Sequence, residues 1–279
     1  MIFNVTSGNV KIGETDMDYA VFGWGQRPFV ILPGLSDGLK TVRGQATTLA
    51  IYYRQFAKDF RIYIFSRKNQ IRAGYTTRDM AKDQKTALDK LGIDNTYIMG
   101  VSQGGMIAQY LAIDYPETVK KLVIGVSVSK PNPTIMTVVK SWMEMAESND
   151  YKSLIVDTLE KTFTEKQLKK YRLFYPIMSR LGKPESFDRF LVQANACINH
   201  NAYSLLDQIK CPTLVIGGDS DKVVGKNTSE EMAEKIQDSK LVVYKGLGHG
   251  AYEETKDFNQ QVKNFLLNHN QKGIEARSQ

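Results

Sequence analysis

Cysteine is scarce in this sequence: Cys197 and Cys211 are the only two among 279 residues. Neither stands at metal-ligand spacing to a histidine or to the other, so neither a zinc site nor a redox motif is expected. Two thiols in a chain of this size read as reduced side chains of a cytoplasmic protein. Long apolar runs are also missing. No stretch approaches the roughly 18 residues that a membrane span needs. The first residues lack a basic segment followed by an apolar one, so no secretory signal is expected. The net charge is +7, but the excess is spread thinly and is densest at 166–172. No basic stripe with interleaved aromatics appears, so nucleic acid is not an expected partner. There is no internal repeat at 20–50 residues and no low-complexity segment. Nothing in the sequence asks for a cofactor or a metal.

What is present suits one large domain, or one domain with an insertion, able to bury a sizeable core. The most informative stretch is 95–110, NTYIMGVSQGGMIAQY. Residues 96–99 are a short β-rich apolar run, and residues 106–111 carry apolar side chains at helical spacing. Between them, Ser102 sits at the apex of a sharp strand-to-helix turn, with Gly100 and Gly104 two residues to either side. Such a turn strains the central residue and needs small neighbours. It also leaves that residue at a helix N-terminus, where the dipole favours an anion. A G-x-S-x-G pentapeptide is common enough by chance that the motif alone decides little. Its strand and helix context is what gives it weight.

A hairpin is expected from 9–13 and 16–24, turning at Glu14-Thr15. Residues 29–32 read as a buried parallel strand, ending at the loop Pro33-Gly34-Leu35-Ser36-Asp37-Gly38. Residues 41–58 can be helical, 61–65 read as a strand, and 66–75 as a polar loop. Thr76 with Asp79 forms a helix start of the capping-box type. Residues 122–126 are the next apolar strand. Strand and helix alternate from 29 to 128, which means βαβ units and a mostly parallel sheet with helices on both faces.

The rhythm changes at Pro131-Asn132-Pro133. Segments 135–147, 151–162, 165–178 and 185–198 all read as helical, and basic residues only slightly outnumber acidic ones there. A helical block inserted in a sheet protein is expected to pack over the sheet's ligand edge. The expected division is a core of 1–129 with 208–279 and a helical cap of 130–207. The sheet resumes with a strand at 213–216 that ends in Gly217-Gly218-Asp219-Ser220-Asp221. A helix (229–236) and a strand (241–244) follow. Then come the loop Gly246-Leu247-Gly248-His249-Gly250, a closing helix (258–267) and a polar tail.

Ser102, Asp221 and His249 each lie in a loop directly after an apolar strand. In a parallel sheet such loops share one edge. A serine hydroxyl needs a base to become a nucleophile. Histidine suits that task, and a carboxylate can fix its tautomer. Of the three histidines, His269 lies in the tail and His200 at the end of the helical block, leaving His249. Asp219 and Asp221 both qualify as the acid, and Asp221 is favoured because Lys222-Val223-Val224 follow it. The order Ser, Asp, His is that of a nucleophile elbow on an α/β sheet.

On Gly100-Val101-Ser102-Gln103-Gly104-Gly105, Gly218-Asp219-Ser220-Asp221 with Val223-Val224, and Gly248-His249 with Glu253, the chain resembles the α/β-hydrolase superfamily over nearly its whole length. The resemblance implies Ser102 as nucleophile, Asp221 as acid and His249 as base. It also implies an oxyanion hole formed by the backbone N–H groups of Gln103 and Leu35, and a helical cap. Pro33-Gly34 stands where many members carry His-Gly, which removes a nearby histidine but keeps the backbone donor. A nucleophilic aspartate is absent.

The expected activity is acyl transfer to water from an ester-like small molecule: a carboxylic ester, thioester or lactone. The alternatives on the same frame are C–C bond hydrolysis, amidase or aminopeptidase activity, and a non-catalytic small-molecule receptor. Met136, Met143, Phe163, Phe174 and Met178 are available to line an apolar pocket. Glu144 and Glu147 are available to hold a substrate amine.

Overall fold

Residues 2–268 are described by the computed structural model. β1 (Thr6–Ile12) and β2 (Thr15–Phe22) pair as an antiparallel hairpin. Its turn is Gly13-Glu14, one residue earlier than the spacing predicts, because Gly13 takes the positive φ of 60° there. β3 (Arg27–Leu32) follows, then α1 (Ala46–Tyr52), β4 (Phe60–Lys68), α2 (Thr77–Lys90), β5 (Thr96–Val101), α3 (Gln103–Asp114) and β6 (Val119–Gly125). The helical stretch comprises α4 (Pro133–Glu147), α5 (Tyr151–Thr162), α6 (Glu165–Tyr171), α7 (Tyr175–Met178) and α8 (Asp188–Ile198). β7 (Thr213–Gly218), α9 (Thr228–Lys235), β8 (Ser239–Tyr244), α10 (Ala251–Glu254) and α11 (Lys256–Leu267) complete the described chain. The eight strands form one sheet in the order β1-β2-β4-β3-β5-β6-β7-β8. β2 alone runs antiparallel to its neighbours β1 and β4, and every other neighbouring pair is parallel.

The capping box at Thr76 is present: its hydroxyl accepts the Asp79 N–H, and the Asp79 carboxylate accepts the Thr76 N–H. Three segments differ from expectation. Residues 41–58 make only the short α1 and a 3₁₀ turn at Arg54–Phe56. β4 continues through Ser66 and Arg67 to Lys68, which pairs with Met17. The polarity of those residues hides a strand whose side chains have partners: Ser66 Oγ accepts the Val42 N–H at 2.9 Å. The expected helix 165–178 breaks into α6, a 3₁₀ turn at Arg172–Phe174 and α7. Pro176, which has no N–H to donate, falls in its last turn. The polar tail and His269 lie outside the described residues.

Alternation along the central strands sorts side chains to two faces. Val30, Leu32 and Ile98 pack with Leu88, Ile107, Leu111 and Met232 on one side. Phe29, Ile31, Tyr97 and Met99 pack with Phe56, Phe60, Phe258 and Val262 on the other. α3 is buried from Gln103 to Ala112, and this anchors the turn in front of it. A third cluster joins the helical stretch to the sheet's carboxyl edge. Val138, Trp142 and Phe190 pack there with Leu35, Met106, Val128 and Val223. Among the described residues no helix is long and apolar enough to cross a membrane.

Candidate active site

Ser102 joins β5 to α3 with φ 55° and ψ −119°. A side chain held at such dihedrals is strained by about 1–3 kcal/mol, and the packing around it must hold it there. Here its N–H donates to the Gly125 carbonyl at 2.9 Å, and its carbonyl accepts Ser127 Oγ–H at 2.8 Å. The flanking glycines are required by close approach: a Cβ on Gly104 would run into the Leu32 carbonyl, and one on Gly100 into the carbonyl of Gly104.

His249 and Asp221 reach Ser102 from the loops after β8 and β7. Ser102 Oγ lies 3.0 Å from His249 Nε2. His249 Nδ1 lies 2.8 Å from Asp221 Oδ2. With Nδ1–H donating to the carboxylate, Nε2 is left to accept the serine proton. The other carboxylate oxygen, Oδ1, accepts the N–H groups of Val223 at 2.8 Å and Val224 at 2.9 Å. Both side chains are buried. Asp219 is on a different task. Its Oδ1 accepts Ser220 Oγ–H and the Gly246 N–H, both at 2.8 Å. Those hydrogen bonds hold its carboxyl below the usual carboxylate range, and it makes no hydrogen bond to the imidazole.

The loop after β3 faces the serine. A methyl group on Gly34 would lie 3.4 Å from Ser102 Cβ and 3.9 Å from Oγ. Leu35 opens a 3₁₀ turn at Leu35–Gly38. Its N–H and that of Gln103 donate to no group among the described residues. Both belong to segments flanking the hydroxyl, as an oxyanion site requires.

A buried polar group beneath this loop was not legible from the sequence. Asp37 Oδ2 accepts the Arg67 N–H at 3.0 Å and Arg189 Nη2–H at 2.6 Å. Arg189, on α8, also donates to the Asp37 carbonyl. Arg67, fully buried, donates from Nη2 to the Pro33 carbonyl at 2.5 Å. Burial lowers the Arg67 pKa, while the nearby Asp37 carboxylate favours the charged form. α8 holds the other side as well, since Gln103 Nε2–H donates to the Gln193 carbonyl at 2.9 Å. One signal was available: Asp37 stands in the loop chosen for Leu35.

The remaining predicted residues divide. Phe163 is buried beside the His249 loop, and a Cβ on Gly250 would lie 2.7 Å from its ring. Met136 and Met143 pack into the cluster under the helices. Phe174 is 54% exposed, unlike the buried Phe163. His200 is a core side chain: its Nδ1 lies 2.9 Å from Thr77 Oγ1 and its Nε2 3.3 Å from Gln109 Oε1. Burial pushes its pKa down to about 3. Cys197 and Cys211 are free thiols. Among the described residues no group of three or more His, Cys, Asp or Glu side chains could hold a metal ion.

The chain is similar to known proteins. The family model for the alpha/beta hydrolase fold matches residues 27–256. A 2-hydroxy-6-oxononadienedioate/2-hydroxy-6-oxononatrienedioate hydrolase of Pseudomonas sp. is 32% identical over 196 residues, covering 67% of this chain and 68% of its own. A second hydrolase of that description, from Pseudomonas putida, is 28% identical over 92% of this chain and 94% of its own. Among solved structures, an alpha/beta hydrolase enzyme from a Medee basin deep-sea metagenome library superposes with a TM-score of 0.81. It is 22% identical, over 97% of this chain and 100% of its own. The enol-lactonase from Burkholderia xenovorans superposes at 0.79, with 18% identity over 94% of this chain and 100% of its own. With the family model covering most of the sequence and the same sheet beneath it, the chain is a hydrolase belonging to the α/β hydrolase fold family.

Proposed function

We propose that this hydrolase cleaves a carbon–carbon bond beside a ketone, in a small molecule of the 2-hydroxy-6-oxo-dienoate type. Ser102 acts as nucleophile, His249 as base and Asp221 as the orienting acid. The Leu35 and Gln103 N–H groups hold the oxyanion. The observation that carries the chemistry is the 3.0 Å contact between Ser102 Oγ and His249 Nε2, beside two N–H groups without a partner among the described residues. The names of the related hydrolases supply the substrate class. This replaces the ester-like substrate expected from the sequence as the first reading.

In this scheme Ser102 Oγ gives its proton to His249 as it attacks the ketone carbon. The tetrahedral oxygen gathers charge where the two N–H groups point, each worth on the order of 3 kcal/mol there. Collapse breaks the C–C bond, and the carbon leaving group takes the proton from His249. That step needs the 2-hydroxydienoate first to shift to its 2-oxo tautomer, the 2-hydroxyl losing a proton and the carbon beside the ketone gaining one, so that the departing electron pair spreads as a dienolate onto the 2-oxo oxygen. Water, deprotonated by His249, then frees the acid from Ser102. Ester cleavage would follow the same steps with an alkoxide leaving. The helical stretch 130–207 serves as cap over a core of 1–129 and 208–279, a division supported by the cluster that joins Trp142 and Phe190 to Met106 and Val223. The free thiols support a cytoplasmic location.

The test is a fluorophosphonate adduct located by mass spectrometry, run beside two assays. One follows loss of the absorbance of a 2-hydroxy-6-oxo-dienoate, and the other follows release of p-nitrophenol from its butyrate. We expect the adduct on Ser102 and dienoate turnover that Ser102→Ala abolishes. Sustained ester turnover without dienoate turnover would return the ester reading. An absent adduct with neither turnover would sink the nucleophile assignment.

A further inference from the structure

The outer face of α6–α7 has no role in the chemistry above, and it is built unlike the rest of the surface. Leu173 is 78% exposed, Phe174 54%, Ile177 56% and Leu181 67%. Leu173, Ile177 and Leu181 are spaced four residues apart. The Leu181 N–H donates to the Ile177 carbonyl at 3.1 Å, which keeps the helical spacing past the end of α7. Ile177 and Leu181 therefore share one face, and Leu173 and Phe174 stand exposed in the 3₁₀ turn just before it. Single exposed apolar residues are ordinary, but four large ones in nine positions form a patch that marks an interaction site.

The segment is not loosely held. Leu168 is buried beneath it. The Tyr171 ring meets Phe163 edge-on at 4.8 Å, and Tyr175 Oη–H donates to Glu160 at 2.9 Å. Its inner side is thus occupied, and only the apolar outer side lacks a partner.

The rim says what covers it. Between 166 and 183 the chain carries Lys166, Lys169, Lys170, Arg172, Arg180 and Lys183 and no acidic residue. All six are exposed. Arg172 is paired with Glu160 and Glu165. No carboxylate among the described residues forms an ion pair with the other five. Exposed leucine, isoleucine and phenylalanine on a segment that carries five unpaired cations complement an anionic lipid surface. The apolar side chains enter the acyl boundary and the ammonium groups meet the headgroups.

We propose that the outer face of residues 166–183 docks the protein on an anionic bilayer surface. The inner side of the same segment reaches toward the candidate site, since Tyr171 packs on Phe163 and Phe163 on the loop of His249. The inference rests on the exposed face alone and stands whichever bond the site cleaves.

The test is flotation of the full chain with vesicles of phosphatidylcholine alone, or with about one third phosphatidylglycerol added. We expect binding to the anionic vesicles only, weakened at least about tenfold by raising salt to ~0.5 M. Leu173→Ser with Ile177→Ser should abolish it. Lys169→Glu with Lys170→Glu should abolish it too while leaving every apolar residue in place. Both pairs should keep turnover of a soluble substrate and far-ultraviolet circular dichroism, which separates lost docking from lost folding. Equal binding to neutral vesicles, no binding to either, or binding retained by both pairs overturns the proposal. So does a dimer, seen by light scattering, that Leu173→Ser with Ile177→Ser dissolves, since the face would then belong to a second copy of the chain.

Discussion

Asp221 and Asp37 are two buried carboxylates at the same edge of the sheet, 5% and 3% exposed, and they do different work. Asp221 is satisfied by groups without permanent charge: two backbone N–H groups on Oδ1 and the imidazole on Oδ2. Its negative charge is therefore available to an imidazolium formed on His249. Asp37 is committed to the Arg189 guanidinium, with buried Arg67 beside it, and its Oδ1 has no protein partner. It ties α8 to the loop of Leu35. Burial and residue type do not separate the two acids; their partners do.

The sharpest way to break that contrast is to neutralise each in turn. Asp221→Asn should keep the fold, because an amide oxygen can still accept from Val223 and Val224. It would offer His249 the wrong hydrogen-bonding pattern, and kcat should fall on the order of 10⁴-fold. Steady-state kinetics on whichever substrate turns over reads this directly, and a loss below tenfold would contradict the role given to Asp221. Asp37→Asn should show the opposite profile. Removing the charge leaves Arg189 and Arg67 unpaired in a buried setting, destabilising the fold by about 3 kcal/mol. Denaturant unfolding measures it. A change under about 1 kcal/mol would mean that solvent already compensates the pair.

The same contrast explains what the sequence could reveal. The alternation of apolar strands with helices, the elbow at Ser102 and the Ser, Asp, His order are local patterns. Each follows from spacing and turn chemistry, and so the sheet and the three converging loops were legible. The Asp37, Arg67 and Arg189 group is not local: its members stand 30 and 122 residues apart along the chain. Arg67 read as loop because its charge masks the end of β4. Phe174 read as pocket lining because periodicity locates a face without saying whether another element covers it. The choice between Asp219 and Asp221 depended on where a loop points, and only the Lys222-Val223-Val224 that follows Asp221 favoured it.

His200 offers a third, milder contrast, with His249. His249 faces a carboxylate, whereas His200 sits between Thr77 and Gln109 with no charge near it. Its pKa is pushed down to about 3 by burial, against an ordinary value of 6.5. The unfolded chain therefore binds a proton at a pH where the folded chain does not. The stability from this site is fully present above pH 6.5 and is lost as pH falls toward 3. Between pH 7 and 5 the loss should be about 2 kcal/mol. His200→Gln should flatten that slope in urea unfolding at the two pH values. An unchanged slope would assign the acid sensitivity to other groups.

The smallest expected effect is the most discriminating between the neighbouring acids. Asp219 is partly exposed and accepts the Gly246 N–H with Oδ1, which helps shape the loop that carries His249. Asparagine keeps a carbonyl oxygen at that position, so Asp219→Asn should preserve the hydrogen bond and lose only a solvated charge. Its kcat should stay within about twofold of the parent, the range of an ordinary surface change. Two residues further on, Asp221→Asn removes the same single charge by the same isosteric change. If the first variant were as inactive as the second, the charge of Asp219 would be as necessary as that of Asp221, and the assignment of Asp221 as the one acid serving His249 would fail. If Asp219→Asn stays active while Asp219→Ala loses severalfold in kcat, the acid's contribution lies in the loop hydrogen bond and not in its charge.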